Sequence, residues 1–215
     1  MSAQPSRARL AAELRAAPGA AGQRFADEAR IRRCSYVDPA AAGVATLLAA
    51  TATSLSATTV LAAALIPAGL TALRTHPRRV RFATAGGTPA HAPATATITG
   101  KDVNGDALTE TVTLAQTATN ADSVKFFADI TQIDYPVGDG VGATVSIGFT
   151  DALGFPFEPE VVGGGVAMIR ELTDGAVPGT ASTLIVPASG LPYGGFTPIS
   201  VPNAARDYHV WLEMV

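Results

Sequence analysis

The side chains that most often carry catalysis or bind metals are sparse in this chain. Its three histidines stand far apart, at positions 76, 91 and 209. Zinc sites and metalloprotease motifs need His, Cys or carboxylate ligands at short, fixed spacings, and the sequence shows no such cluster. The run Gly163–Gly165 lacks the Lys-Ser or Lys-Thr pair that ends a phosphate-binding loop. We therefore predict that the protein is not an enzyme, with no catalytic residue, metal or cofactor.

One group of oxygen-bearing residues does resemble the start of a calcium loop. Asp102, Asn104 and Asp106 alternate, and Glu110 follows them. An EF-hand loop would need a glycine where Ala107 stands and a glutamate later than Glu110. Because Asn-Gly is a strong signal for a tight turn between strands, a β-hairpin explains the same residues better.

Two further candidates for chemistry have simpler explanations. Glu158 and Glu160 flank a proline in an extended stretch, which is more typical of a solvated surface than of a glycosidase pair. Cys34 is the single cysteine, so an intramolecular disulfide is excluded. It follows Arg32 and Arg33, but no histidine lies nearby in sequence to activate it, and we predict a structural role.

Arginine is the one charged residue type with a clear pattern. Residues 1–81 hold eleven Arg against four acidic residues, whereas residues 82–215 hold four basic residues against fourteen acidic ones. The planar guanidinium suits fixed pairing with carboxylates at interfaces, so we expect these arginines to bind a partner. The candidate partner-binding residues are Arg7, Arg9, Arg15, Arg24, Arg30, Arg32, Arg33, Arg78, Arg79 and Arg81. We favour a protein partner over nucleic acid because Phe82, the aromatic neighbour of the last cluster, falls on the opposite strand face.

The composition predicts a mainly β chain. It has 47% hydrophobic residues, 21 Gly and 15 Pro without a period, which favours short strands joined by turns. Ser6–Ala17 and Ala20–Cys34 carry helical periodicity. We interpret them as a short basic arm, helical or extended, whose removal up to residue 35 would leave the rest folded. The stretch Pro39–Leu73 carries no charge, but its Ala, Ser and Thr content argues against a membrane span. Its Thr-containing alternation favours extended structure, while its Ala content would also permit a buried helix.

The segment from Ala94 to Phe149 reads as one β-sandwich. Val80, Phe82 and Thr84 alternate with Arg79 and Arg81 in the strand before it. Within it, Thr95–Val103 and Asp106–Leu114 flank Asn104-Gly105, which predicts a type I′ hairpin. The remaining predicted elements are strands over Lys125–Ile133 and Thr144–Phe149, a connector over Asp151–Phe157, short strands in 161–172 and 182–187, and a terminal strand over Tyr208–Met214.

These elements predict four regions. They are a basic arm (1–38), an Ala/Thr-rich lead-in packed on the β-body (39–85), an immunoglobulin-like β-domain (86–150) and a C-terminal β-region (151–215).

The order of pieces from residue 58 to residue 157 resembles tailed-bacteriophage virion proteins with an immunoglobulin-like β-domain. The residues that carry the resemblance are Pro77–Val80, Ile98–Val112, Lys125–Phe127, Ile130–Ile133, Val145–Gly148 and Asp151–Pro156. The basic arm departs from the pattern of these proteins.

The resemblance implies a cement or decoration protein on the capsid surface, made in the host cytoplasm. It would bind the major capsid protein and neighbouring copies of itself as a homo-oligomer, with no small-molecule substrate, nucleic acid or membrane. A tail or head–tail connector subunit is the alternative within virions. A carbohydrate-binding β-module and a hydrolase with an unrecognised site are alternatives from other classes, and the single Trp and four Tyr argue against sugar stacking.

Overall fold

The fold is mainly β, as the composition predicts, and every strand pairing among the residues that the structure describes is antiparallel. The computed structural model describes residues 31–39, 41–52, 54, 58–62, 76–86, 92–114, 120–138, 141–157, 166–180, 182–185 and 194–214. These ranges contain thirteen strands and no helix: β1 (Ile31–Tyr36), β2 (Gly43–Ala52), β3 (Thr59–Ala62), β4 (Arg78–Gly86), β5 (Thr95–Lys101), β6 (Ala107–Thr113), β7 (Asn120–Asp122), β8 (Asp129–Tyr135), β9 (Ala143–Gly154), β10 (Val166–Thr173), β11 (Thr183–Ile185), β12 (Gly195–Thr197) and β13 (Tyr208–Met214).

Two sheets enclose the larger core. One sheet has the order β3-β8-β5-β6, and the other contains β2, β9, β4 and β7. Alternate residues of these strands point inward, so that Phe82, Ile98, Ile133 and Ile147 are fully buried between the two sheets. The predicted alternation in β4 is confirmed, because Val80 and Phe82 are buried while Arg79 is only partly so.

A second, smaller core lies against a three-stranded sheet. This sheet has the order β1-β13-β10, and its inward residues Cys34, Tyr36, Val210 and Leu212 are buried. The opposite wall includes Phe196 from β12, together with Leu153 and Phe155 from the end of β9 and the residue after it. The prediction of a terminal strand over Tyr208–Met214 is confirmed.

Strand β9 takes part in both cores, and the predicted connector over Asp151–Phe157 is wrong in its first half. β9 has twelve residues, and eight of them pair with β4 along one edge. The other edge pairs with β2 between Thr144 and Phe149 and with β12 at Leu153 and Gly154. Gly154 permits the continuation, because a Cβ there would lie 2.8 Å from the Phe126 ring. A boundary at residue 150 therefore falls inside a strand.

The expected helix up to Cys34 is also wrong over its last residues. Ile31–Tyr36 forms β1 and pairs with β13 in register from Ile31↔Glu213 to Tyr36↔Tyr208. Burial of Cys34 and Tyr36 in the smaller core provides the stabilisation that local propensity does not. A basic arm can thus extend only to residue 30, and a truncation to residue 35 would remove a strand. Residues 1–30, including Ser6–Ala17, lie outside the described residues.

The hairpin between β5 and β6 is confirmed, but its turn differs from the predicted type I′. The last strand pair is Lys101↔Ala107, Gly105 N donates to Asp102 O, and Gly105 has a φ of +90°. Asn104 has no positive φ, whereas a type I′ turn requires two such residues. The Asp102 carboxylate instead accepts hydrogen bonds from the backbone of Asn104 and Asp106, at 2.7 and 2.9 Å. It therefore stabilises the loop as a turn residue.

The described parts of the charge-free stretch are extended, as expected. Both β2 and β3 come from it, while residues 40, 53, 55–57 and 63–75 lie outside the described residues. Among the described residues there is no helix long and apolar enough to cross a membrane.

Candidate functional site

Arg78 is buried and so cannot be the surface contact that we expected. Its side chain is 0% exposed, and its guanidinium carbon lies 5.0 Å from the centre of the Phe149 ring. Nη2 donates a hydrogen bond to the carbonyl of Thr150. Burial lowers the pKa of Arg78 to about 10, and nearby Asp151 opposes that shift. Arg78 therefore holds the middle of β9 in place.

The other two arginines of this cluster have partners within the chain. Arg81 forms a bidentate pair with Asp122, with both N–O distances at 2.8 Å, and this hydrogen bonding raises its pKa. Arg79 donates to the carbonyl of Val124 at 3.0 Å and lies over the Phe126 ring. Both are only partly exposed, so they offer a partner little free guanidinium surface.

The remaining predicted arginines divide at residue 31. Arg7, Arg9, Arg15, Arg24 and Arg30 lie outside the described residues. Arg32 and Arg33 are exposed on opposite faces of β1. Arg32 lies 4.8 Å from the centre of the Phe157 ring, and Arg33 lies 5.2 Å from that of Trp211. The structure thus keeps these two arginines at the surface and orders each against an aromatic ring.

Arg33 belongs to a set of side chains on the outer face of the three-stranded sheet. We call this set the Arg–Trp face; it comprises Arg33, Ser35, Arg170, His209 and Trp211. Arg33 and Arg170 occupy the strands on either side of β13, and both pair in register with Trp211. Their guanidinium carbons lie 5.2 and 5.4 Å from the centre of its indole ring. Such cation–π stacking orders two flexible charges and leaves their N–H groups for a ligand.

His209 lies two residues before Trp211 in β13 and extends the face along that strand. Its Nδ1 lies 3.0 Å from Ser35 Oγ and 3.4 Å from Arg33 Nη2, and its ring contacts that of Trp211 edge-on. Arg33 and Arg170 are exposed, while His209 and Trp211 are half-buried. The arrangement presents two fixed cations around a large aromatic ring, which suits carboxylate or phosphate groups and a flat apolar contact.

The described part of the chain does not gather His, Cys and acidic side chains into a metal site. No group of three or more His, Cys, Asp and Glu side chains is placed to hold a metal there. Glu171 is 6% exposed in the smaller core, and neither carboxylate oxygen has a hydrogen-bond partner among the described residues. Glu110 is engaged by the backbone of Val124 and Lys125, at 2.6 and 2.9 Å. Glu110 therefore occupies a structural position.

Sequence reasoning missed Ser35 and three further members of the face, which are Arg170, His209 and Trp211. Arg170 stood alone among acidic residues, and nothing in its neighbourhood indicated that β10 would lie beside β13. The signal for the other two was present, because strict alternation in 208–214 sets His209 and Trp211 opposite the buried Tyr208 and Val210. Because tryptophan is enriched at protein interfaces, a tryptophan on the solvent side of a strand indicates a candidate interaction surface.

Comparison of the chain with protein families, with curated proteins and with solved structures gives no match.

Proposed function

We propose that this chain is a non-enzymatic structural protein that binds neighbouring protein subunits, and that the Arg–Trp face makes the contact. The observation that carries the proposal is the ordered pair of exposed guanidiniums over Trp211. Trp and Arg are the side chains that most often dominate binding energy at protein interfaces. Because both cations are already held by the ring, their ordering costs little further entropy on binding.

The assembly that we propose is the virion of a tailed bacteriophage, with the chain as a cement or decoration protein on the capsid. The sequence resemblance over residues 58–157 supports this, including the immunoglobulin-like assignment of the larger sandwich. The position of the face supports it too, because β1 directly follows the arginine-containing residues 1–30. Several weak contacts per copy across a lattice would produce firm attachment.

The test is retention of the purified chain on phage heads that lack it. Trp211→Ala and Arg170→Glu should each weaken retention by about 30-fold, which corresponds to about 2 kcal/mol per site. Lys101→Glu provides the control for the change of charge, since Lys101 is exposed on β5, in a different sheet from the Arg–Trp face. Variants of the face that bind heads as well as Lys101→Glu does would overturn the proposal.

The same variants separate the alternatives. Retention on purified tails and not on heads would indicate a tail or connector subunit. Labelled DNA bound by the chain and released by Arg170→Glu would move the contact to nucleic acid, with a strong dependence on salt. A glycan would compete with two guanidiniums for the Trp211 ring. Binding on a glycan array that disappears in Trp211→Ala would support a carbohydrate-binding module instead.

A further inference from the structure

The two arginines of the Arg–Trp face have no carboxylate partner among the described residues. The chain holds 18 acidic residues, and Arg81 illustrates how it can use them, since it pairs with Asp122 at 2.8 Å. Neither Arg33 nor Arg170 forms an ion pair in the part of the chain that the structure describes. Both guanidiniums are held over the Trp211 ring instead. An acidic chain therefore leaves these two exposed cations for carboxylates from elsewhere.

Aliphatic side chains lie beside the two cations. Ile31 comes two residues before Arg33 in β1 and is 40% exposed, and Leu172 comes two residues after Arg170 in β10 and is half-buried. Residues two apart in a strand lie on the same face of the sheet. The Arg–Trp face is therefore bordered by apolar surface, and it suits a ligand that combines negative charge with apolar side chains.

The same face of a second copy does not meet this requirement. Arg33, Trp211 and Arg170 occupy one row across the sheet. A two-fold axis along or across the strands would thus set the guanidiniums of one copy against those of the other. Like charges that lie directly opposite each other destabilise a contact.

Nucleic acid fits the face less well than an acidic polypeptide does. Proteins that bind a phosphate backbone use several cations along a groove, and their affinity rises with the number of phosphates neutralised. The described face carries two arginines, and Glu213 lies on the same side of β13 as Trp211. Its carboxylate would repel a continuous run of phosphates, whereas a polypeptide can place its acidic side chains away from it.

We propose that the Arg–Trp face binds an acidic segment of a neighbouring protein, with carboxylates on Arg33 and Arg170 and an apolar side chain against Trp211. The inference rests on the proposed function, because it names the chemistry of the subunit that the face contacts. A guanidinium and a carboxylate can pair through two parallel hydrogen bonds, which fixes the orientation of the segment. The indole ring between the two pairs supplies the buried apolar area.

Trp211 itself reports on binding, because it is the single tryptophan of the chain. The test is a titration of the full chain with the synthetic peptide Asp-Glu-Phe-Asp-Glu, followed by tryptophan fluorescence. The emission should change in a saturable way at peptide concentrations up to about 1 mM, and added salt should weaken the binding. The amide peptide Asn-Gln-Phe-Asn-Gln, which has the same shape without the charge, should produce no saturable change.

Two variants locate the binding on the face. Arg33→Gln and Arg170→Gln each remove one cation and should weaken the binding of the acidic peptide by about fivefold, as expected for an exposed ion pair. Arg32→Gln is the matched control, because Arg32 is the neighbouring exposed arginine of β1 and lies on its opposite face, over Phe157. It should bind the peptide as the wild type does. Equal urea unfolding midpoints would show that all three variants fold.

Three results would overturn the inference. They are absence of binding by the acidic peptide, equal binding of the acidic and amide peptides, and equal effects of Arg33→Gln, Arg170→Gln and Arg32→Gln. A DNA oligonucleotide that binds the face more tightly than the peptide does would also overturn it and assign the face to phosphate. The titration uses no phage particle. If it fails while Trp211→Ala still weakens retention on heads, the proposed function holds and only the carboxylate partner is wrong.

Discussion

At the scale of single residues, position within a strand decides what each arginine of β4 does. Arg78 has the same parity as the buried Val80 and Phe82, and its side chain is buried with them. The alternation of the sequence is consistent with burial at position 78, but the charge of the arginine led us to expect a surface position. The sequence could not show that the ring of Phe149 and the carbonyl of Thr150 would accept a guanidinium in the interior.

Cys34 gives a prediction at this scale. The thiol is 1% exposed, and burial raises its pKa from 9.0 to about 11. The unfolded thiol ionises first, so this contribution to stability is present below pH 9 and is lost as the pH rises to about 11. Between pH 8 and pH 11 the wild type should lose about 2 to 3 kcal/mol more stability than Cys34→Ser, whose hydroxyl does not titrate.

Urea unfolding at a series of pH values measures the difference. The buried Arg78 acts in the opposite direction, because its lowered pKa of about 10 favours the fold as the pH rises. Arg78 is present in both the wild type and Cys34→Ser, so its contribution cancels when the two chains are compared. Parallel curves for the wild type and Cys34→Ser would contradict the prediction, as would rapid reaction of the native thiol with a disulfide reagent at pH 8.

At the scale of elements, local signals located strands better than they located strand ends and turns. The terminal strand over Tyr208–Met214 was predictable because its alternation is strict. β1 was not, because Ile31–Tyr36 is extended only through its pairing with β13, which is distant in sequence. In the hairpin, Asn104-Gly105 indicated the reversal, but the Asp102 carboxylate determines a longer loop.

The contact between β2 and β9 depends on a glycine, which gives a second prediction. A Cβ on Gly148 would lie 1.9 Å from the carbonyl oxygen of Gly43 and 2.9 Å from Thr46 Oγ1. Gly148→Ala should therefore push β2 away and destabilise the fold by about 1 to 3 kcal/mol in urea unfolding. Gly179→Ala is the matched control, because no atom lies within 4 Å of the added methyl group. Equal stability of the two variants would show that β2 adjusts freely.

At the scale of the whole molecule, strand β9 contributes buried residues to both cores. The sequence did not indicate this, because Gly154, Phe155 and Pro156 resemble a connector, and the boundary fell at residue 150. Phe149 lies in the larger core and Leu153 in the smaller one, four residues apart in β9. The smaller core is not formed by one separate segment of the chain. Only the packing of β1, β12 and β13 around the end of β9 reveals it.

We expect the two cores to unfold together. Leu212→Ala removes a fully buried side chain from the smaller core and should cost about 2 to 5 kcal/mol. If β9 couples the cores, hydrogen exchange of the amides of Ile98 and Ile133 in the larger core should accelerate by the same free energy. Calorimetry should show one transition. Faster exchange confined to β1, β10 and β13 would mean that the cores are independent.

The continuity of β9 also determines how the molecule bears mechanical load. Tension applied along this strand acts parallel to it, while its ladder of hydrogen bonds runs across it to β4, β2 and β12. Those hydrogen bonds must then break together in shear, and they cannot open one after another from one end.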